Sequence, residues 1–173
     1  MIMKKAVCVL TNNKPGISGN IEFNELDGGS VEVILDIKGL SPGLHGFHIH
    51  TTGDLRKGCN SLCSHFNPYN TLHGDISDNV NNRHVGDLGN ILVDTNGNAK
   101  YSFNDKIIRL RGKRNIVGRS VVIHADEDDL GRGGIDLDSN NEYIIVDPDV
   151  YKESIKTGNA GKRIACGVIG WVE

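Results

Sequence analysis

Leu44-His45-Gly46-Phe47-His48-Ile49-His50 is the stretch whose reading decides the fold. In an extended strand alternate side chains share a face, so Gly46, His48 and His50 project one way and His45, Phe47 and Ile49 the other. The second set suits an apolar core, which makes His45 structural by parity. On the first face two imidazoles lie roughly 6–7 Å apart, at about 3.3 Å of rise per residue. That spacing lets both bind one metal ion from the same side. A His-x-His pair alone does not establish a ligand pair, and the rest of the chain has to decide.

Outward from this strand the chain reads as short strands and turns. Val31-Glu32-Val33-Ile34-Leu35-Asp36-Ile37 alternates most cleanly, with Val31, Val33, Leu35 and Ile37 inward. Residues 4–11 and 17–23 read as earlier strands. Residues 88–93 and 100–103 flank the hairpin turn Asp94-Thr95-Asn96-Gly97. Residues 120–124 and 165–172 complete the set. Between them run two long segments without periodicity, 51–86 and 125 to about 163, of a kind that is functional when it is not disordered. The expectation is an all-β fold, an eight-stranded antiparallel Greek-key barrel or sandwich with two long functional loops and no amphipathic helix, forming one domain over residues 1–173.

Composition points the same way and removes several function classes. Aromatic content of 5% and 22 glycines among 173 residues favour strands and turns over a helical bundle. The net charge of −3, with no basic run, makes nucleic acid and anionic membrane poor partners. Residues 1–10 hold no apolar run long enough for a signal peptide, so the expected location is cytoplasmic. Four cysteines (Cys8, Cys59, Cys63 and Cys166) form no dense disulfide framework.

The histidines carry the chemistry. Any single loop histidine reads most simply as a solvated side chain, but their spacing does not. His65-x7-His73-x10-His84-x2-Asp87 supplies three nitrogens and a carboxylate from one loop, a complete tetrahedral zinc set. His48, His50 and His124 add three nitrogens from strands, a donor set suited to copper.

Gly46-Phe47-His48-Ile49-His50, His65-Phe66-Asn67-Pro68, Arg83-His84-Val85-Gly86-Asp87-Leu88-Gly89-Asn90 and Gly158-Asn159-Ala160-Gly161 through Arg163 to Gly170 resemble the signature blocks of copper/zinc superoxide dismutases. The blocks occur in family order from about residue 6 to 172. The resemblance implies copper held by His48, His50, His65 and His124, and zinc by His65, His73, His84 and Asp87, with His65 bridging. It implies that Asp128 links a copper histidine to a zinc histidine, fixing ring orientation. It places Arg163 above the copper and Thr157 opposite it, narrowing the channel. It pairs Cys59 with Cys166 in a disulfide, leaving Cys8 as a buried thiol. Cys63 is extra to the pattern, with disulfide exchange or a Cys/His zinc site as its minor readings.

The implied activity is dismutation of superoxide to oxygen and hydrogen peroxide, for antioxidant defence, with His65 and Arg163 as catalytic residues. Lys156, Lys162 and Arg163 are candidates for a positive rim that steers the anion, a behaviour of which this family is itself a standing example. A homodimer is implied through Val7, Val9, Gly53, Val117, Gly118, Val168, Gly170 and Trp171, and a copper chaperone is a further implied partner. The alternative is a non-catalytic relative that binds metal or a copper chaperone without turnover; the complete ligand set and Arg163 argue against it.

Two stretches depart from the family pattern. The zinc loop is longer at residues 76–82, and residues 135–155 form an insertion richer in acids than in bases. Were those acids near the channel they would repel superoxide, so the family's guidance scheme does not transfer intact. Tyr143-Ile144-Ile145-Val146 is apolar enough that it is expected to pack over the barrel, with partner binding as the other reading.

Overall fold

The computed structural model describes residues 4–173. The strands are β1 (Lys5–Val9), β2 (Asn12–Asn13), β3 (Ser18–Glu25), β4 (Val31–Lys38), β5 (Gly43–His50), β6 (Arg56–Cys59), β7 (Asp87–Val93), β8 (Asn98–Asp105), β9 (Ser120–His124), β10 (Ile135–Leu137), β11 (Tyr143–Ile145) and β12 (Arg163–Trp171), with one helix, α1 (Pro148–Thr157). Eight of them follow the antiparallel path β7-β5-β9-β12-β1-β3-β4-β8, with β2 attached to β12. β12 makes the corner between two halves. Its residues Arg163 to Val168 pair with β9, and Ile169 to Trp171 pair with β1.

The core sits inside this nearly closed barrel. Alternation does the sorting: Val31, Val33, Leu35 and Ile37 on β4 and Phe47 and Ile49 on β5 are buried against Ile21, Phe23, Val121 and Ile123. His45 is buried too, its Nδ1 lying 2.8 Å from the His124 carbonyl oxygen, so the structural role read from parity holds. The turn at 94–97 is present, with Gly97 N–H donating to the Asp94 carbonyl at 3.0 Å. Its two flanking strands do not go on to ladder with each other. β7 pairs with β5 and β8 with β4, which leaves a seam between them.

The second long loop holds more structure than expected. β10 and β11 form a two-stranded ribbon, and α1 follows it. The absence of a helix is thus corrected, and the local signals were present. Asp147 caps the N-terminus, accepting from the Asp149 and Val150 amides, Pro148 opens the first turn, and Gly158 closes the helix in the left-handed region at φ 73°. No apolar stripe advertised α1 because its buried residue is Ser154, which donates to Asp129 Oδ1 at 2.6 Å and accepts from Gly133 N–H at 2.9 Å.

The packing expectation for Tyr143–Val146 fails. Tyr143 is 76% exposed, and Ile144, Ile145 and Val146 are exposed as well. The ribbon is closed on itself by the Asp138 side chain, which accepts from the Asn140 and Glu142 amides, and anchored at its base by Gly134. Those local bonds aim it outward and not over the barrel.

Candidate metal centre

β5 presents His48 and His50 with ring centroids 6.5 Å apart, and β9 ends on His124 opposite them. The first long loop folds back so that His65 forms a β-bridge with His50 and brings its ring within 4.0 Å of His48. Nitrogens of His48, His50, His65 and His124 fall within 4.8 Å of one another, and donor atoms of His65, His73, His84 and Asp87 form a second such group. All seven side chains are buried. His65 belongs to both groups.

The backbone approach around this centre is close. A Cβ at Gly46 would stand 2.6 Å from the Ala160 Cβ and 3.2 Å from His48 Cε1, so glycine is needed between the strand and the second loop. A Cβ at Gly158 would stand 1.9 Å from Asp128 Oδ1. Only the bare backbone leaves room for that carboxylate.

Asp128 lies between the groups, with Oδ2 2.7 Å from His48 Nε2 and Oδ1 2.8 Å from His73 Nε2. It is held in place by Asn90, whose Oδ1 accepts from the Asp128 amide at 2.7 Å and whose Nδ2 donates to the Asp128 carbonyl at 2.8 Å. Asn90 had no role in the sequence reading. Its signal was a polar residue amid the otherwise apolar run 88–93 that follows Asp87. The carbonyls of Cys63 and Gly161 likewise escaped notice, since backbone positions carry no side-chain signature. They lie 2.8 Å from His50 Nδ1 and 3.0 Å from His124 Nδ1.

These contacts leave particular atoms over. His48 Nδ1, His50 Nε2 and His124 Nε2 are buried with no hydrogen-bond partner among the described residues, while His73 Nδ1 lies 3.0 Å from Asp87 Oδ2. Orphaned buried nitrogens are costly unless something occupies the space they face. Burial also holds His48, His50 and His65 below the ordinary histidine range and His124 down to about 4. Each is therefore a neutral imidazole at neutral pH, the form that ligates metals. On the other side burial would raise Asp87, but hydrogen bonds from His65, His73 and His84 keep it well below the usual carboxylate range. Burial would likewise lower His73, yet Asp128 and Asp87 outweigh it and lift it to about 10. A bound cation would replace those protons. The unpartnered nitrogens fit copper beside the first group, and the donor set of three imidazoles and a carboxylate fits zinc beside the second.

A cavity of about 530 Å³ opens onto His50, His65 and His124 and is lined further by Cys63, Thr157 and Arg163. Arg163 is fixed by donating from Nη1 to the Cys59 carbonyl at 2.7 Å and from Nη2 to the Cys63 carbonyl at 2.6 Å. Cys59 is bonded to Cys166, whereas Cys8 is a buried free thiol and Cys63 an exposed one. Cys63 belongs to none of the metal-capable groups among the described residues. From the insertion only Glu153, with Lys156 beyond it, lines the cavity; none of residues 135–150 does, and neither does Lys162. The acids of the ribbon therefore do not face the channel.

The family model described as copper/zinc superoxide dismutase matches residues 17–169. A superoxide dismutase [Cu-Zn] of Paramecium bursaria Chlorella virus 1 is 51% identical over 158 residues, covering 91% of this chain and 74% of the relative. One of Onchocerca volvulus is 48% identical over 165 residues, covering 95% and 94%. An extracellular superoxide dismutase [Cu-Zn] of Brugia pahangi is 47% identical over 164 residues, covering 95% and 74%. Among solved structures, the clock protein EA4 superposes with a TM-score of 0.83 at 43% identity, covering 99% of this chain and 97% of that one.

Proposed function

The chain belongs to the copper/zinc superoxide dismutase family, and from that premise we propose that its buried histidine cluster dismutes two superoxide anions and two protons to oxygen and hydrogen peroxide. The observation that carries this reading is the set of buried, unpartnered histidine nitrogens that face one another beside a cavity headed by an arginine. Copper is held by His48, His50, His65 and His124, and zinc by His65, His73, His84 and Asp87. Copper supplies one-electron chemistry that zinc, with no accessible second oxidation state, does not.

The chain's own residues do the rest. His65 lies with Nδ1 2.8 Å from Asp87 Oδ1, which leaves Nε2 for the side of His48, His50 and His124. His65 takes up a proton at Nε2 in one half-cycle and gives it to the reduced oxygen in the other. Asp128 accepts from His48 and His73 at once, so a tilt in either ring is resisted by the other. Arg163 attracts and orients the incoming anion with a guanidinium already locked by two carbonyls. Thr157 narrows the opposite wall, its Oγ1 held by Glu153 at 2.7 Å. The Cys59–Cys166 bond ties the strand that supports Arg163 to the loop that grips it.

Residues 1–173 act as one domain in this reading, and the working form is a homodimer. Val9 on β1 is an exposed apolar side chain on the outward face that Val7 shares with its exposed partner Gly170 on β12, which supports a covered face there. The proposed location is cytoplasmic, with a copper chaperone as a partner; no helix among the described residues is long and apolar enough to cross a membrane. Superoxide dismutation measured with metal analysis on the same sample tests the function. Activity should rise with copper loading to one copper and one zinc per chain. Fully metallated protein without activity refutes it.

A further inference from the structure

A second cleft of about 530 Å³ lies on the other side of Arg163, lined by Thr11, Lys14, Lys57, Asn60 and Ile164 among others. It shares Arg163 and Asn60 with the cavity at the metal centre, but among the described residues no histidine and no acid lines it. The geometry points to a separate anion site here, built by Lys14, Lys57 and Arg163 for an oxyanion of the phosphate class.

The three cations come from three segments that are tied together. β2 pairs with β12 through Ala165 and Cys166, the Lys14 amide donates to the Ile164 carbonyl at 2.8 Å, and the disulfide joins β6 to β12. Lys14 and Lys57 are exposed and make no ion pair among the described residues. The acid on the Lys57 loop, Asp54, is engaged by Arg56 through contacts of 2.8 to 3.1 Å. Arg163 spends one N–H of Nη1 and one of Nη2 on its carbonyls, and a guanidinium carries five. Three positive charges thus converge, and the acid that reaches Lys57, Asp54, is already paired with Arg56. A doubly charged tetrahedral anion relieves that repulsion and matches the forked donors left on Arg163.

Resting on the proposed role of Arg163, the site also has a consequence for turnover. An anion in the outer cleft and superoxide in the inner cavity draw on one guanidinium, so each weakens the other, reciprocally. Phosphate in the outer cleft slows superoxide capture.

Inorganic phosphate is titrated into the 15N-labelled, reduced copper/zinc protein at fixed ionic strength, and amide shifts are followed. Saturating shifts should centre on Lys14, Lys57, Gly58 and Asn60, and Lys14→Gln with Lys57→Gln should weaken binding by about tenfold or more. AMP as a second probe separates free phosphate, which then binds as tightly or tighter, from a phosphoryl group on a larger molecule, where AMP binds tighter. Absent saturation, shifts confined to residues around His124 and Gly161, or undiminished affinity in the double variant overturn the site. Dismutation in the same titration tests the coupling: phosphate should slow the native enzyme more than the double variant. Binding at the cleft without slowing overturns the coupling alone and leaves the proposed function standing.

Discussion

Removing the disulfide tests how far the metal loop depends on a single covalent tie. Cys59 and Cys166 are 107 residues apart in the chain, so their bond removes a large loop-closure entropy from the unfolded ensemble. On the chain-entropy account a closure of that length is worth about 4.8 kcal/mol at 25 °C. Cys59→Ser is the cleaner perturbation, because position 59 is only partly buried whereas Cys166 is fully buried among Leu62 and Val122. It is made in a Cys63→Ser background, so that the exposed thiol cannot capture Cys166. Denaturant unfolding of the metal-free variant against the metal-free Cys63→Ser parent should show a loss near that figure, or a fall in Tm of roughly 10–20 °C for a chain of this size. Activity of the metallated variant should fall as well, since the carbonyls of Cys59 and Cys63 that hold Arg163 sit on the released loop. A loss under about 1 kcal/mol would refute the reasoning, because it would mean the loop is held as firmly by its non-covalent contacts.

Asp128→Asn keeps the shape but replaces one acceptor oxygen by a donor facing His48 or His73; metal affinity should drop about 10–100-fold in a chelator competition, and a drop under threefold would remove Asp128 from its positioning role. Thiol labelling of the native protein should modify Cys63 and spare Cys8, which is buried and pushed up to about 12 by that burial from an ordinary 9.0. The sign for stability follows: the unfolded Cys8 thiol ionises first, so the contribution is intact below pH 9 and is lost as pH climbs towards 12, readable as a falling denaturation midpoint. Asp147→Ala should cost about 1 kcal/mol locally, seen as faster amide exchange in α1, with the barrel amides unchanged.

Much of this protein was determined by sequence alone, and for a physical reason. Period-two alternation in residues 31–37 and 44–50 sorts side chains by face wherever a strand forms, so the barrel strands and the inward position of His45 were legible without coordinates. The spacing of His48 and His50 was legible too, because a strand has one rise per residue. What the tertiary structure alone decided are relations between segments distant in the chain. The meeting of His65 with His48, the lock of Asn90 on Asp128 and the grip of two loop carbonyls on Arg163 depend on how long loops fold back, which no local periodicity encodes. The ribbon and α1 lay between these cases. Their caps and turns were written in Asp138, Asp147, Pro148 and Gly158, but the pattern that would have announced them was missing, because α1 is anchored by the polar bonds of Ser154 and the apolar residues of the ribbon face water.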